Sequence, residues 1–327
     1  TTTTTATITA IKGNFKDKEN ASASADQPLD FINIFFICLG HVAFVYVMLT
    51  FPWIEKYYIV IYTSIIMHLA GFGVTAGAHR YFTHRSYKAK TPLKVLLLMA
   101  YASCGHNKLF DWVRDHRTHH KYVETDADPH NSNRGFFFAH VGWLFMKKHP
   151  AVVAKGRTID MSDISNDPLL MWYDRTYILM KTIFCFIIPT VIPRYLFNED
   201  WYTCITTQCI GRYILLLNIT WSVNSVAHFF GNKPYDKEGN SKENLAVSVM
   251  TIGEGWHNYH HAFPWDYKAS EYGKINLTTT WLNFFGKIGW AYDFRSASED
   301  LIRKVVQKSG DGTHKRYACL AEDEKDL

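Results

Sequence analysis

The chain reads as an all-α integral membrane protein, with four transmembrane helices and a cytosolic helical cap. Three features of its 327 residues carry this reading. Apolar residues gather in runs of membrane-spanning length. Lys and Arg concentrate between the second and third runs, and histidines cluster at helical spacing just beyond the ends of the runs.

A bilayer core asks for about 20 predominantly apolar residues per helix. Residues 31–51, "FINIFFICLGHVAFVYVMLTF", and 57–78, "YYIVIYTSIIMHLAGFGVTAGA", meet this, and "PWIEK" leaves room only for a tight hairpin between them. Residues 177–193 are a third span that carries Lys181. A fourth, over about 205–228, contains Arg212, Asn218 and Asn224. The run 93–105 is too short to cross and is expected as an interfacial or buried helix. Residues 1–30, rich in Thr and Ser, are expected to be a disordered cytosolic segment, and no basic leader or small-residue cleavage site marks a secretory signal. The main domain is expected over 31–300, its cap built from 80–176 and 229–300, with a cytosolic tail over 301–327.

Fifteen Lys and Arg lie in residues 80–176, whereas the short connections 52–56 and 194–200 hold only Lys56 and Arg194. Positive charge favours the cytosolic side, so the long loop and both termini are expected there. A net charge of +5, balanced by 30 acidic residues, suits an anionic ligand or a lipid surface and falls short of a nucleic-acid-binding signature. The six cysteines have no CxxC spacing and are expected as buried free thiols. The terminal "EKDL" is not the retention tetrapeptide it approaches.

Sixteen histidines are too many to treat alike. Isolated ones such as His41, His68 and His314 are expected as packed or solvated side chains. "HRTHH" supplies His116, His119 and His120, and "HNYHH" supplies His257, His260 and His261. Positions i, i+3 and i+4 share a helix face, so each triplet can aim three imidazoles at one point. "HRYFTH" adds His79 and His84, whose spacing of five requires a helix end or a local distortion. "NSVAH" offers Asn224 and His228 on one face. All nine histidines are expected to converge just outside the hydrocarbon layer. Zinc typically takes four ligands, so two ions are the economical count and the cap becomes a histidine-rich dimetal site. Spacing alone leaves iron, copper, nickel and zinc open, and bis-histidine haem would use only two axial ligands per haem.

HxxxxH at 79–84 and HxxHH at 116–120 and 257–261 resemble the three histidine boxes of membrane fatty acyl desaturases. The flanking words "TAGAHR", "WVRDHRTHHKYVETDADPHN", "RGFFFAHVGWL", "NSVAH" and "GEGWHNYHHAFPWDY" are similar to the animal acyl-CoA desaturases of the stearoyl-CoA type, with an insect flavour. The likeness runs from about residue 28 to 295.

The resemblance implies a di-iron centre held by His79, His84, His116, His119, His120, His228, His257, His260 and His261, with Asn224 reaching one iron through a water. Asp115, Glu124, Asp126, Asp128 and Glu254 are candidates to orient these imidazoles. It implies that Asn33, Asn107, Arg114, Asp115, Lys147, Lys148 and Trp221 hold coenzyme A, with Arg114, Lys147 and Lys148 on its phosphates. Met67, Gly71, His106, Trp112 and Thr220 match residues that line a bent acyl tunnel. The implied reaction inserts a cis double bond, Δ9, into saturated C16–C18 acyl-CoA, using O2 and two electrons from cytochrome b5 and its reductase, at the endoplasmic reticulum membrane. A hydroxylase on the same metal centre and a non-catalytic haem- or metal-binding membrane protein are the alternatives.

Each buried methylene contributes about 0.8 kcal/mol, so sliding a chain by one carbon changes binding only about fourfold. An anchored head and a rigid kink must therefore set the register. Three positions depart from the family pattern. His106 stands where the family usually has glutamine, and Met67 and Gly71 stand where vertebrate relatives have tyrosine and alanine.

Overall fold

The computed structural model describes residues 27–317 apart from 272 and 274. The expected N-terminal segment lies almost wholly outside those residues, as does the end of the expected tail.

Helix α1 (Phe31–Thr50) starts where the Asp30 carboxylate accepts the N–H of Asn33. It leaves Phe31 73%, Ile32 70% and Leu49 80% exposed, an apolar surface that suits lipid rather than water. A tight connection leads to α2 (Tyr57–Thr83), which runs five residues beyond the end expected at 78. Its last eleven residues, Gly73–Thr83, wind in wider i→i+5 turns. Helix α3 (Thr91–Cys104) packs back on α2 through Leu93, Leu97, Leu98 and Tyr101, which makes it the buried alternative for the short apolar run. The two backbones touch at Gly73, where a Cβ would lie 2.2 Å from the carbonyl carbon of Ala100. Helix α4 (Leu109–Tyr122) follows, then short helical turns up to residue 175.

Helix α5 (Tyr177–Leu196) contains Pro189 and Pro193. Helix α6, residues 201–224, is capped by Asp200, which accepts from the N–H of Thr203. Helices α1, α2 and α5 are long and apolar enough to cross a membrane. The fourth expected span, α6, buries Gln208 and Arg212, and these polar groups keep its hydropathy low. It also stops at Asn224 rather than 228, because Ser225 breaks the helix before a short turn, α7 (Val226–Phe229). Opposite the histidines, Lys56 Nζ meets Glu199 Oε2 at 2.5 Å, and the Tyr58 hydroxyl donates to the same carboxylate. This buried Glu199 ties the α1–α2 connection to the α5–α6 connection.

The remaining labelled elements are α8 (His257–Ala262), α9 (Leu277–Lys287) and α10 (Glu299–Ser309). One short antiparallel pair, Lys88–Ala89 with Ala291–Tyr292, joins the end of α2 to the end of α9. Part of the segment expected as a tail is packed. Ile302 and Val306 of α10, with Tyr317, pack against Tyr259 and Phe263 of the α8 region.

Candidate metal centre and substrate cavity

The i→i+5 winding at the end of α2 answers the spacing of five. The N–H of His84 donates to the carbonyl of His79 at 3.1 Å, and their rings sit 4.8 Å apart. Wide turns of this kind are rare and occur mostly at functional sites.

The two triplets do not each aim at one point, as their spacing suggested. Each is divided two to one. His116 and His120 of α4 join His79, His84 and His260 in a group of five, and His119 of α4 joins His228, His257 and His261 in a group of four. Within each group, one ring nitrogen per residue lies within 4.8 Å of all the others. The reason is angular. At about 100° per residue, positions i and i+4 diverge by about 40°, whereas i+3 and i+4 diverge by about 100°. His116 and His120 therefore face one way and His119 the other, and α8 repeats the pattern with His257 and His261 against His260.

The nitrogens point inward. His79 Nε2 and His120 Nε2 lie 2.9 and 3.0 Å from His260 Nε2. His228 Nε2 and His261 Nε2 lie 3.0 and 3.1 Å from His257 Nε2. The central nitrogen of each trio carries one proton or one lone pair, so it cannot hydrogen-bond to both neighbours. Nitrogens ligating a common ion at about 2.1 Å would lie about 3 Å apart. His84 Nε2 and His116 Nε2 are buried without a hydrogen-bond partner, which an ion would supply. The donor set fits two metal ions that accept imidazole.

Burial, reinforced by the neighbouring rings, pushes His84, His116, His120, His257, His260 and His261 well below the usual histidine range. They are held neutral, the form that ligates. Two of the five acids expected to orient ligands do so. Glu254 Oε2 lies 2.8 Å from His79 Nδ1, and Asp128 Oδ1 lies 2.8 Å from His119 Nδ1. Burial raises both carboxyls, but Arg80 and His79 around Glu254, and His119 beside Asp128, bring each down to about 2. Asp115 instead pairs with Lys148. Glu124 accepts from the backbone of Asn240, and Asp126 is exposed.

Three residues that spacing did not single out hold the ligand segments in place. Arg117, between His116 and His119, donates to the carbonyls of Phe82 and Thr83 at 2.6 and 3.2 Å and so fastens α4 to the end of α2. Arg80 is buried and donates to Glu254, Asn276, Thr279 and the carbonyl of Tyr267. Glu243 accepts the N–H of Tyr259 at 2.8 Å near the start of α8. His130 is a fourth addition. It lies with Asp128 and His119 in a further potential ligand group, and only its place two residues after Asp128 hinted at this.

Two cavities meet beside the centre. One of about 250 Å³ reaches His79, His116 and His257. The other, of about 520 Å³, runs between α2 and α6. Both are lined by Val74, Thr75, Thr220, Val223 and Glu254. Of the expected tunnel residues, His106 and Trp112 line the first, Met67 and Gly71 line the second, and Thr220 lines both. Of the expected coenzyme A residues, Asn107, Asp115 and Trp221 line the first cavity. Arg114, Lys147, Lys148 and Asn33 do not. Lys148 and Arg114 pair with Asp115, and Lys147 meets Asp30, the cap for Asn33, at 2.5 Å. Asn224 lies on the first cavity's wall, just before the break that leads to His228.

A model of the fatty acid desaturase family matches residues 55–275. An acyl-CoA Delta-9 desaturase of Acheta domesticus is 49% identical over 80% of this chain and 74% of its own. An acyl-CoA Delta(11) desaturase of Spodoptera littoralis is 45% identical over 87% of this chain and 84% of its own. The stearoyl-CoA desaturase of Homo sapiens is 43% identical over 92% and 83%. With membrane-length helices and nine imidazoles in two groups beside an apolar cavity, the chain belongs to the fatty acid desaturase family, among its acyl-CoA desaturases.

Proposed function

We propose that this enzyme inserts a cis double bond, Δ9, into saturated C16–C18 acyl-CoA at a di-iron centre, with O2 and two electrons from cytochrome b5. The observation that carries the proposal is the junction of two largely apolar cavities at a pair of histidine groups. The five-histidine group would hold one iron, and the four-histidine group the other with Asn224 through a water. Bound iron supplies the oxidising power toward O2-dependent removal of hydrogen that an unactivated methylene demands. The remaining work falls to the chain itself. Glu254 and Asp128 fix the rings of His79 and His119 so that Nε2 faces the metal. Arg114, Lys147 and Lys148 anchor the phosphates of coenzyme A at the rim. Trp112 and Thr220 bend the acyl chain, which sets register and favours the cis product. Apolar walls exclude water.

Four crossings of the endoplasmic reticulum membrane, with the histidine segments and both termini on its cytosolic side, accord with the concentration of Lys and Arg in residues 80–176. Relatives named for both Delta-9 and Delta(11) lie close in identity, so bond position is the quantity to measure. Expression in yeast lacking its own desaturase should restore growth without unsaturated acids, with double bonds at carbon 9. Bonds at carbon 11 would overturn the position, and hydroxylated lipid would favour the hydroxylase. Continued auxotrophy despite abundant protein would overturn the activity.

A further inference from the structure

A charged side chain within a membrane span is costly and marks a functional position by default. Lys181 lies one turn inside α5. Its position near a helix end would let it extend toward water, yet it turns inward and lines the smaller cavity. Its ammonium lies 3.4 Å from the Tyr213 hydroxyl and 5.6 Å from the centre of that ring. It forms no ion pair among the described residues. His106 lines the same cavity, and its Nε2 is buried with no hydrogen-bond partner. Gly105 brings these groups together. A Cβ there would lie 2.7 Å from Tyr213 Cε2 and 3.4 Å from Lys181 Cε, so the chain passes beside them here only through a glycine. The Tyr213 hydroxyl is already committed, donating to the Gly105 carbonyl at 3.2 Å.

Two N–H donors on Lys181 and one ring nitrogen on His106 are left facing the cavity. We propose that Lys181 and His106 form a polar subsite for a hydroxyl group on the acyl chain, so that the enzyme accepts hydroxyacyl-CoA as well as unsubstituted acyl-CoA. A hydroxyl is the complementary group: its oxygen accepts from the ammonium while its hydrogen is donated to His106 Nε2. This deepens the acyl-CoA reading above and rests on it.

The test uses the full metal-loaded chain in lipid nanodiscs. It measures binding of octadecanoyl-CoA and of a positional series of monohydroxyoctadecanoyl-CoAs. At least one isomer should bind about tenfold more tightly than the unsubstituted ester, the scale of a hydrogen bond to a charged group. That margin, taken against each variant's own affinity for octadecanoyl-CoA, should fall to about twofold or less in Lys181→Leu and in His106→Leu. The subsite is overturned if no isomer outbinds the unsubstituted ester, which leaves a bound water as the groups' only partner, or if the margin survives both substitutions. If octadecanoyl-CoA itself fails to bind the unaltered chain, the acyl-CoA reading fails as well.

Discussion

The N–H of His84 donates to the carbonyl of His79 across five residues, and this bond places both imidazoles in one ligand group. A regular α-helix would turn His84 away from the cluster. Replacing His84 with Ala should therefore weaken metal binding at the five-histidine site while sparing the four-histidine site, so that a chelator strips about one of two ions per chain sooner than from the unaltered protein. Metal analysis of the purified protein during chelation reads this directly.

His120→Ala and His261→Ala remove one ligand from each group. Both should abolish the unsaturated product while leaving helix content and membrane extraction unchanged. Turnover retained in either variant would falsify the ligand assignment.

Glu254 and Asp128 act through different rings. Glu254→Gln should weaken metal binding at the five-histidine group by about 10–100-fold, and Asp128→Asn should do the same at the four-histidine group. Competitive chelation, followed by ion counting, distinguishes the two sites. Equal loss from both sites in either variant would contradict the separate roles.

Asp163 supplies a pH dependence away from the ligands. Burial raises its carboxyl, but hydrogen bonds from Arg117 and Arg85 bring it down to about 2 from an ordinary 3.8. Because the folded value is depressed, the stabilisation is fully present above the ordinary value and is lost as pH falls toward about 2. Asp163→Asn should lower the melting temperature at neutral pH, and the difference from the unaltered chain should close between about pH 4 and 2. A constant difference across that window would show that the pair contributes nothing through charge.

Met67 and Gly71 line the larger cavity, and a Cβ at Gly71 would make only ordinary contact with Ile252 Cδ1 at 3.4 Å. Gly71→Ala should be tolerated with little change. Met67→Tyr adds a rigid ring and should shift product toward C16 relative to C18. An unchanged ratio by gas chromatography would remove Met67 from chain-length selection.

Lys148 pairs with Asp115 at the rim of the smaller cavity. Lys148→Ala should raise KM for acyl-CoA about tenfold with kcat nearly unchanged, as expected for a contact made equally in ground and transition states. A fall in kcat alone would place Lys148 elsewhere.

Much of this architecture is legible in the sequence alone. Apolar runs of bilayer length marked α1, α2 and α5, because desolvation of a spanning helix depends on its length and composition alone. Histidine spacing marked all nine ring donors, because helical periodicity is local. The division of each triplet between two groups was not legible. It depends on α4 and α8 facing each other, so that i and i+4 serve one group and i+3 the other. The only local hint of the wide turns of α2 is the spacing of five between His79 and His84, which asks for a distortion without fixing its kind. Arg80, Arg117 and Glu243 resemble ordinary charged residues until Glu254, the end of α2 and the start of α8 come against them. Which carboxylate supports which imidazole, and where two cavities meet, are set by contacts between segments far apart in the chain.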